Sequence, residues 1–284
     1  MFKDYYKLAK PGIVYGNLLS AIAAYAYASR WNIGSSIFVA TIVGLGFIIA
    51  SAAVFNNYFD RDIDIKMERT RDRALATGVI SKINALIFGC ILGILGFAIL
   101  LLFTYLLTTF VALIGFLVYV FAYTFAKRKT YWATEIGSIA GAVPIVVGYT
   151  AAVDRLDGAA LILFLTLALW QMPHFYAIAL RRSEEYAAAG IPILPLQKGI
   201  WATKNCILLY IAAFAIMASF LTIFGYAGYS YMVVVALASL AWFALAAQGF
   251  NVENEEAWAR KLFFASLIVL VVFCLVLSVA TILP

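Results

Sequence analysis

Apolar residues in this chain come in long blocks, with polar residues gathered between them. Nine blocks run over approximately 13–30, 35–56, 84–104, 108–126, 133–153, 159–178, 204–224, 229–249 and 263–283. Each has about 18–25 residues, the length of helix that crosses a hydrocarbon core of about 30 Å. Backbone groups in lipid must find their hydrogen bonds within each segment, so such blocks predict helices. The expected fold is all-α, a polytopic membrane protein with nine transmembrane helices in one bundle. No linker or charge block divides the chain, so a single transmembrane domain over 1–284 is expected.

Composition agrees with the pattern: 65% of the residues are hydrophobic and 12% charged, well outside the soluble globular range. The start, MFKDYYKLAKPG, is short and polar, and the first block is long enough to stay as a span, so no cleaved leader is expected. Cys90, Cys206 and Cys274 fall in three different blocks without disulfide or metal spacing, and are expected to be small core residues.

Basic residues sort to one side. The N-terminal tail and the connections 57–83, 127–132, 179–204 and 250–262 hold eighteen of the 20 Lys and Arg; the other connections hold Arg30 and Arg155. The positive-inside rule then places the N-terminus and the long connections in the cytoplasm and the C-terminus outside. The net charge of +6 follows from topology and from attraction to anionic headgroups of the lipid bilayer. It calls for no nucleic acid.

One connection stands apart. Residues 56–73, NNYFDRDIDIKMERTRDR, carry ten charges in eighteen positions. If the second span continues past the interface as helix, at about 100° per residue, Asn57, Asp60 and Asp64 fall within about 60° of one another. Glu68 falls on the same face and Asn56 at its edge. Like charges so spaced weaken an isolated helix, and a divalent cation would offset the repulsion. Mg2+ takes oxygen ligands and typically joins one or two carboxylates to substrate phosphates. Arg61, Lys66, Arg69, Arg71 and Arg73 follow or interleave with the acids, and arginine forks match phosphate oxygens. Acids for a metal and cations for a phosphate, at the mouth of an apolar bundle, point to a diphosphate with an apolar tail. A solvated, salt-bridged loop that only fixes topology is the competing reading.

NNYFDRDID at 56–64 resembles the N-D-x-x-D-x-x-x-D motif of the intramembrane aromatic prenyltransferase superfamily. RTRDRALATG at 69–78 resembles that superfamily's R-T-x-x-R-P-L-x-x-G. Within it, KPGI at 10–13, WQMPHFY at 170–176 and AGIPILP at 189–195 look like the protohaem IX farnesyltransferase, or haem O synthase, family, and the likeness covers nearly the whole chain. The resemblance implies transfer of a farnesyl group from farnesyl diphosphate to a vinyl group of haem b, with water added, giving haem O. It implies Mg2+ held by Asn57, Asp60 and Asp64, with Asp60, Asp64, Arg69 and Arg73 as catalytic residues. Asn56, Arg61, Lys66 and Thr70 would belong to the diphosphate-binding stretch. The implied setting is a bacterial inner membrane, with the active site at the cytoplasmic face and haem-copper oxidase assembly or a haem A synthase as protein partners.

The chain also departs from the superfamily pattern. Asn57 stands where the motif has Asp, and Ala74 where the second stretch has Pro. The second acidic motif, expected in the 179–204 connection, reads RRSEEYAAAG. Its adjacent Glu184 and Glu185 would point about 100° apart on a helix, so a second metal is not expected there. Arg181, Arg182 and Lys198 stand instead as cations for the diphosphate.

His174 is the one histidine, near the end of the sixth block on the same membrane face as the Asp motif, beside Pro173, which should bend the helix. It is either an interfacial packing residue among aromatics or a haem contact, since imidazole is a common haem iron ligand. Lys10 is a substrate contact or a topology charge. Asn17 and Gln171 are polar groups inside spans, expected to face the bundle or a cavity. Gly137, Gly141, Pro144 and Gly148 are expected to permit close helix packing rather than to bind a ligand. Tyr119 and Tyr123 line the cavity or pack the core. Lys127, Arg128 and Lys129 meet haem propionates or only set topology. The rivals to haem farnesylation are a quinone or chlorophyll prenyltransferase, against which WQMPHFY argues, and a transporter, against which the gathering of charge at one interface argues.

Overall fold

The apolar blocks are helices. The computed structural model describes residues 2–282, and all regular structure among them is helical. In chain order the helices are α1 (Phe2–Leu8), α2 (Pro11–Ser29), α3 (Ser35–Asp64), α4 (Lys82–Phe103), α5 (Leu106–Leu117), α6 (Thr124–Ala126), α7 (Ala133–Val153), α8 (Gly158–Arg181), α9 (Ser183–Ala188), α10 (Leu194–Ile223), α11 (Tyr229–Gln248) and α12 (Glu255–Val279). A π-helical stretch, Val118–Tyr123, joins α5 to α6. Side-chain caps mark several starts: Ser81, Asp157 and Asn254 accept from the backbone N–H groups of Asn84, Ala160 and Ala257, relieving donors that a helix start leaves unpaired.

Among the described residues, eight segments are long and apolar enough to cross a membrane. The expected first span is the helix α2, which is not among the eight; Ala, Gly, Ser and Tyr dilute its apolar character. It nonetheless packs against α7 and α12, burying Ala21, Ala24 and Tyr27. The second span continues as helix to Asp64, as its pattern suggests. The connections 179–204 and 250–262 are shorter than expected, because α10 starts at Leu194 and α12 at Glu255. Gly199, at φ 87°, breaks the helical path near the start of α10. Pro173 lies inside the continuous helix α8.

Small residues set the helix spacing. In lipid, helices gain little from expelling water, so close van der Waals contact carries the association. Gly89, Gly93 and Gly96 of α4 face α3, and a Cβ on Gly96 would lie 2.7 Å from the Gly44 carbonyl oxygen. A Cβ on Gly148 of α7 would lie 2.0 Å from the Ala21 carbonyl oxygen of α2. Gly137 and Gly141 sit against Tyr123 and Gln171, which bears out the packing role expected for the α7 glycines. The cysteines are free, but only Cys274 is a core residue; Cys206 is half-buried and Cys90 exposed. A block apolar on all sides does not reveal which face meets lipid.

Candidate active site

The last two turns of α3 carry Asn56, Asn57, Asp60 and Asp64, and all four are buried, at 3%, 2%, 6% and 4% exposure. A solvated loop does not look like this. Buried carboxylates need partners, and here each partner comes from another part of the chain. The turn after α3 folds back, with the Thr70 hydroxyl donating to the Asp64 carbonyl at 2.9 Å. It returns Arg73, whose Nη1 donates to both Asp64 carboxylate oxygens at 2.8 Å and to Asn57 Oδ1 at 3.1 Å. The Asn57 amide donates to the Leu8 carbonyl at 2.9 Å.

Lys10, between α1 and α2, donates from Nζ to Asn56 Oδ1 at 2.7 Å. Its backbone is left-handed, at φ 51°, a conformation that costs a non-glycine residue about 1 kcal/mol or more and tends to cluster at functional sites. Burial pushes the Lys10 ammonium down to about 7; the nearby Arg73 and Lys127 cations add to this, while Asp60 and Asp64 oppose it.

The segment after the π-helical stretch supplies the third side. Lys127 forms an ion pair with Asp60 Oδ2, and burial lowers its pKa against the pull of Asp60. Arg128 explains why Lys127 reaches so far: its guanidinium grips Asp62 with two bonds of 2.8 Å and donates to the Phe59 carbonyl, clamping this segment to α3. The Asn56 amide donates to Thr124 Oγ1 at 3.3 Å, and that hydroxyl donates to the Tyr119 carbonyl at 3.0 Å. Tyr119 and Tyr123 stack at 5.4 Å between centroids, and Lys127 Nζ lies 5.3 Å from the Tyr123 ring centre. π-Helical turns often mark functional sites, and this one places two aromatic faces beside Asp60.

The metal expectation meets a suitable donor set. Two carboxylates and the Asn57 amide oxygen are hard oxygen donors, as Mg2+ requires. Asp60 Oδ1 is buried with no hydrogen-bond partner among the described residues, an unmet acceptor of the kind a cation satisfies. No group of three His, Cys, Asp or Glu is gathered for a metal among the described residues, so an amide or substrate oxygens would complete the shell.

Other expected site residues are placed elsewhere. Glu68 does not share the acidic face, because α3 ends at Asp64 and Glu68 is exposed in the turn. Arg61 turns away, donating to the Tyr58 carbonyl at 2.6 Å and lying over the Tyr58 ring. Lys66 and Arg69 are exposed in the turn. Arg182 pairs with Glu185, Arg181 lies 4.0 Å from Glu256, and Lys198 lies over Tyr131. The Asn17 amide bonds to the Ile13 carbonyl of its own helix. Gln171 spans α8 and α7 by donating to the Ser138 carbonyl at 3.1 Å. His174 lies between the rings of Trp170 and Phe263, with Nδ1 2.7 Å from Ser266 Oγ of α12.

Sequence reasoning missed the pairing of Lys127 with Asp60. Their separation of 67 residues leaves no trace in local periodicity; a basic residue four positions after Tyr123 was the available signal.

Comparison with known proteins is consistent with this picture. A family model described as the UbiA prenyltransferase family matches residues 17–268. A Citrobacter koseri protein named protoheme IX farnesyltransferase is 46% identical, over 100% of this chain and 96% of its own. A Serratia proteamaculans protein of the same name is 45% identical, over 98% of this chain and 95% of its own. Among solved structures, a digeranylgeranylglyceryl phosphate synthase superimposes with a TM-score of 0.82 at 20% identity, covering 99% of this chain and 98% of that one. A UbiA homologue from Archaeoglobus fulgidus, bound to DMAPP and Mg2+, gives 0.74 at 16% identity, covering 97% and 99%. At these identities the structural likeness speaks for the fold.

Proposed function

The chain belongs to the UbiA prenyltransferase family, and from that premise we propose that it transfers a farnesyl group from farnesyl diphosphate to a vinyl group of haem b. Water adds in the same reaction, and the products are haem O and diphosphate. The observation that carries the reading is the buried meeting of Asp60, Asp64 and Asn57 with Lys10, Arg73 and Lys127 at the end of an apolar bundle. Two acids alone would bind a cation; three basic side chains beside them make the site fit a metal–diphosphate. The names of the full-length relatives support farnesyl as the group and haem as the acceptor.

Asp60, Asp64 and Asn57 would hold Mg2+, which when bound would neutralise charge on the diphosphate. In the ligand-free protein Lys127 and Arg73 compensate the two carboxylates. With substrate present these cations and Lys10 face phosphate oxygens, and they stabilise the charge that grows on the leaving diphosphate. The C–O bond to the farnesyl carbon breaks, and the electron pair leaves with the diphosphate. The ring faces of Tyr119 and Tyr123 suit the allylic cation that remains. The haem vinyl group then forms the new C–C bond, and water captures the resulting cation, losing a proton.

The basic asymmetry supports a cytoplasmic N-terminus and an outside C-terminus, with α2 as a ninth crossing and the site at the cytoplasmic face of a bacterial inner membrane. Incubating membranes that contain the protein with haem b and farnesyl diphosphate tests the reading. Haem O is expected by mass in the presence of Mg2+ and not with EDTA; its absence with Mg2+ present overturns the assignment.

A further inference from the structure

The connection between α8 and α10 lies against the same site. Ala179, Ala189, Ile191 and Ile193 form a buried cluster with Ile63 and Met67, at the end of α3 and in the turn after it. Tyr186 of α9 packs against this cluster. Its backbone is held on both sides: its N–H donates to the Arg182 carbonyl at 3.1 Å, and its carbonyl accepts from the Ile191 N–H at 2.9 Å. Gly190, at φ 70°, makes the reversal that lets Ile191 reach back.

The hydroxyl end of Tyr186 is placed differently from its ring. No described residue hydrogen-bonds to it, although Arg69, Arg73 and Arg182 lie close enough to act on it electrostatically. Tyr123, which is near Asp60, lies within the same reach. Burial raises the phenol pKa and the three arginines only partly offset this, so the group remains an O–H donor at neutral pH. The acids of this segment do not converge as a pair. Glu185 pairs with Arg182 through Oε1, its Oε2 having no hydrogen-bond partner among the described residues, and Glu184 is exposed. What this connection offers the site is therefore a neutral donor beside cations.

We propose that Tyr186 is a diphosphate-binding residue, its hydroxyl donating a hydrogen bond to an oxygen of the diphosphate that Arg73 helps to neutralise. The proposal deepens the farnesyl-transfer reading and rests on it for the identity of the substrate. It has a physical rationale in the departures noted above. Glu184 and Glu185 do not converge as a second acid pair, and a fixed phenol satisfies a phosphate oxygen without adding charge.

Two substitutions separate binding from packing. Tyr186→Phe keeps the ring against Ile63 and Met67 and removes only the donor; Tyr186→Leu removes both. Inorganic pyrophosphate with Mg2+ is titrated calorimetrically into the purified full-length protein, and KM is measured for farnesyl diphosphate and haem b. Tyr186→Phe is expected to bind pyrophosphate about tenfold more weakly, as loss of one hydrogen bond to a charged group implies. Its KM for farnesyl diphosphate should rise by a similar factor, with the haem b KM and the melting temperature unchanged. Unchanged pyrophosphate affinity in Tyr186→Phe overturns the proposal, as does a wild type that binds no pyrophosphate. A loss confined to Tyr186→Leu, with a lower melting temperature, overturns it too and leaves the residue as packing. The pyrophosphate titration needs no turnover, so a wild type that binds it yet makes no haem O counts against the farnesyl-transfer reading and not against Tyr186.

Discussion

At the end of α3, charged and amide side chains meet Lys10, Arg73 and Lys127, each from a different connection; along α8, His174 meets aromatic rings of its own helix and of α12 and one hydroxyl of α12. Asp60 is met by Lys127, Asp64 by Arg73 and Asn56 by Lys10, and one Asp60 oxygen is still left without a partner among the described residues. His174 has its rings and its hydrogen bond from α8 and α12. The first arrangement brings charge out of water and leaves an acceptor unmet. Such an arrangement is costly unless a ligand completes it. The second is an amphipathic ring accommodated between two helices, and its contacts are those of packing. Both regions carried a chemical suggestion in the sequence; they differ in that the end of α3 holds a buried acceptor with no partner among the described residues.

The comparison breaks most visibly if the acids prove dispensable. Asp60→Asn and Asp64→Asn are each expected to lower haem O formation by at least about 10²–10³-fold, the usual scale for losing one stabiliser of developing charge. Near-normal turnover, followed by mass, would remove the acidic cluster from the reaction. Arg73→Ala should leave Asp64 buried without its cation and destabilise the ligand-free protein by about 3 kcal/mol, seen as a lower melting temperature. Adding Asp64→Asn to that variant should restore much of the loss. Independent, additive effects would mean that the pair is not coupled.

A smaller effect lies in the pH dependence of Lys10. Its folded pKa of about 7 lies below the ordinary lysine value of 10.5. Between these values the unfolded chain holds the extra proton, so the ligand-free protein gains stability as pH rises from about 7 to 10.5. Diphosphate binding favours the ammonium form, so affinity for farnesyl diphosphate should fall as pH rises above about 7. The fall should be shallower in Lys10→Met; equal slopes in the two proteins would exclude Lys10 as the titrating group. The smallest effect is expected at His174. His174→Ala should lower the melting temperature by a few degrees, as loss of about 1 kcal/mol of stacking and hydrogen bonding implies, with the haem b absorption spectrum unchanged. A Soret band that shifts on substitution would place haem at this seam and erase the contrast with the acidic cluster.

Much of the bundle was legible because it depends on local pattern. Apolar length fixes where a span must lie, and the small residues of α7 announced close packing. The acidic register was legible too, since Asn57, Asp60 and Asp64 are brought together by helical periodicity alone. Its end was not: Glu68 falls on the same face only if the helix continues, and the turn capped by Thr70 on the Asp64 carbonyl ends it first. The partners were hidden for a different reason. Lys127 on Asp60 and Lys10 on Asn56 are products of tertiary folding, and the sequence alone left each open between a ligand contact and a topology charge. Arg61, adjacent to Asp60 in sequence, projects onto Tyr58, because neighbouring positions on a helix point about 100° apart. Lys204 shows the same limit: placed by pattern at the edge of a cytoplasmic connection, it is buried in α10, bonded to the Gly249 carbonyl and to Glu255.

The central claim is that the buried end of α3 is a metal-dependent diphosphate site. Equilibrium binding of farnesyl diphosphate to the purified wild type and to the Asp60→Asn/Asp64→Asn double variant, with Mg2+ and with EDTA, tests it most directly, with haem b binding measured on the same samples. The account predicts binding in the wild type that requires Mg2+, loss of that binding in the double variant, and haem b affinity retained in both. Equal farnesyl diphosphate affinity in the two proteins, indifferent to Mg2+, would contradict it.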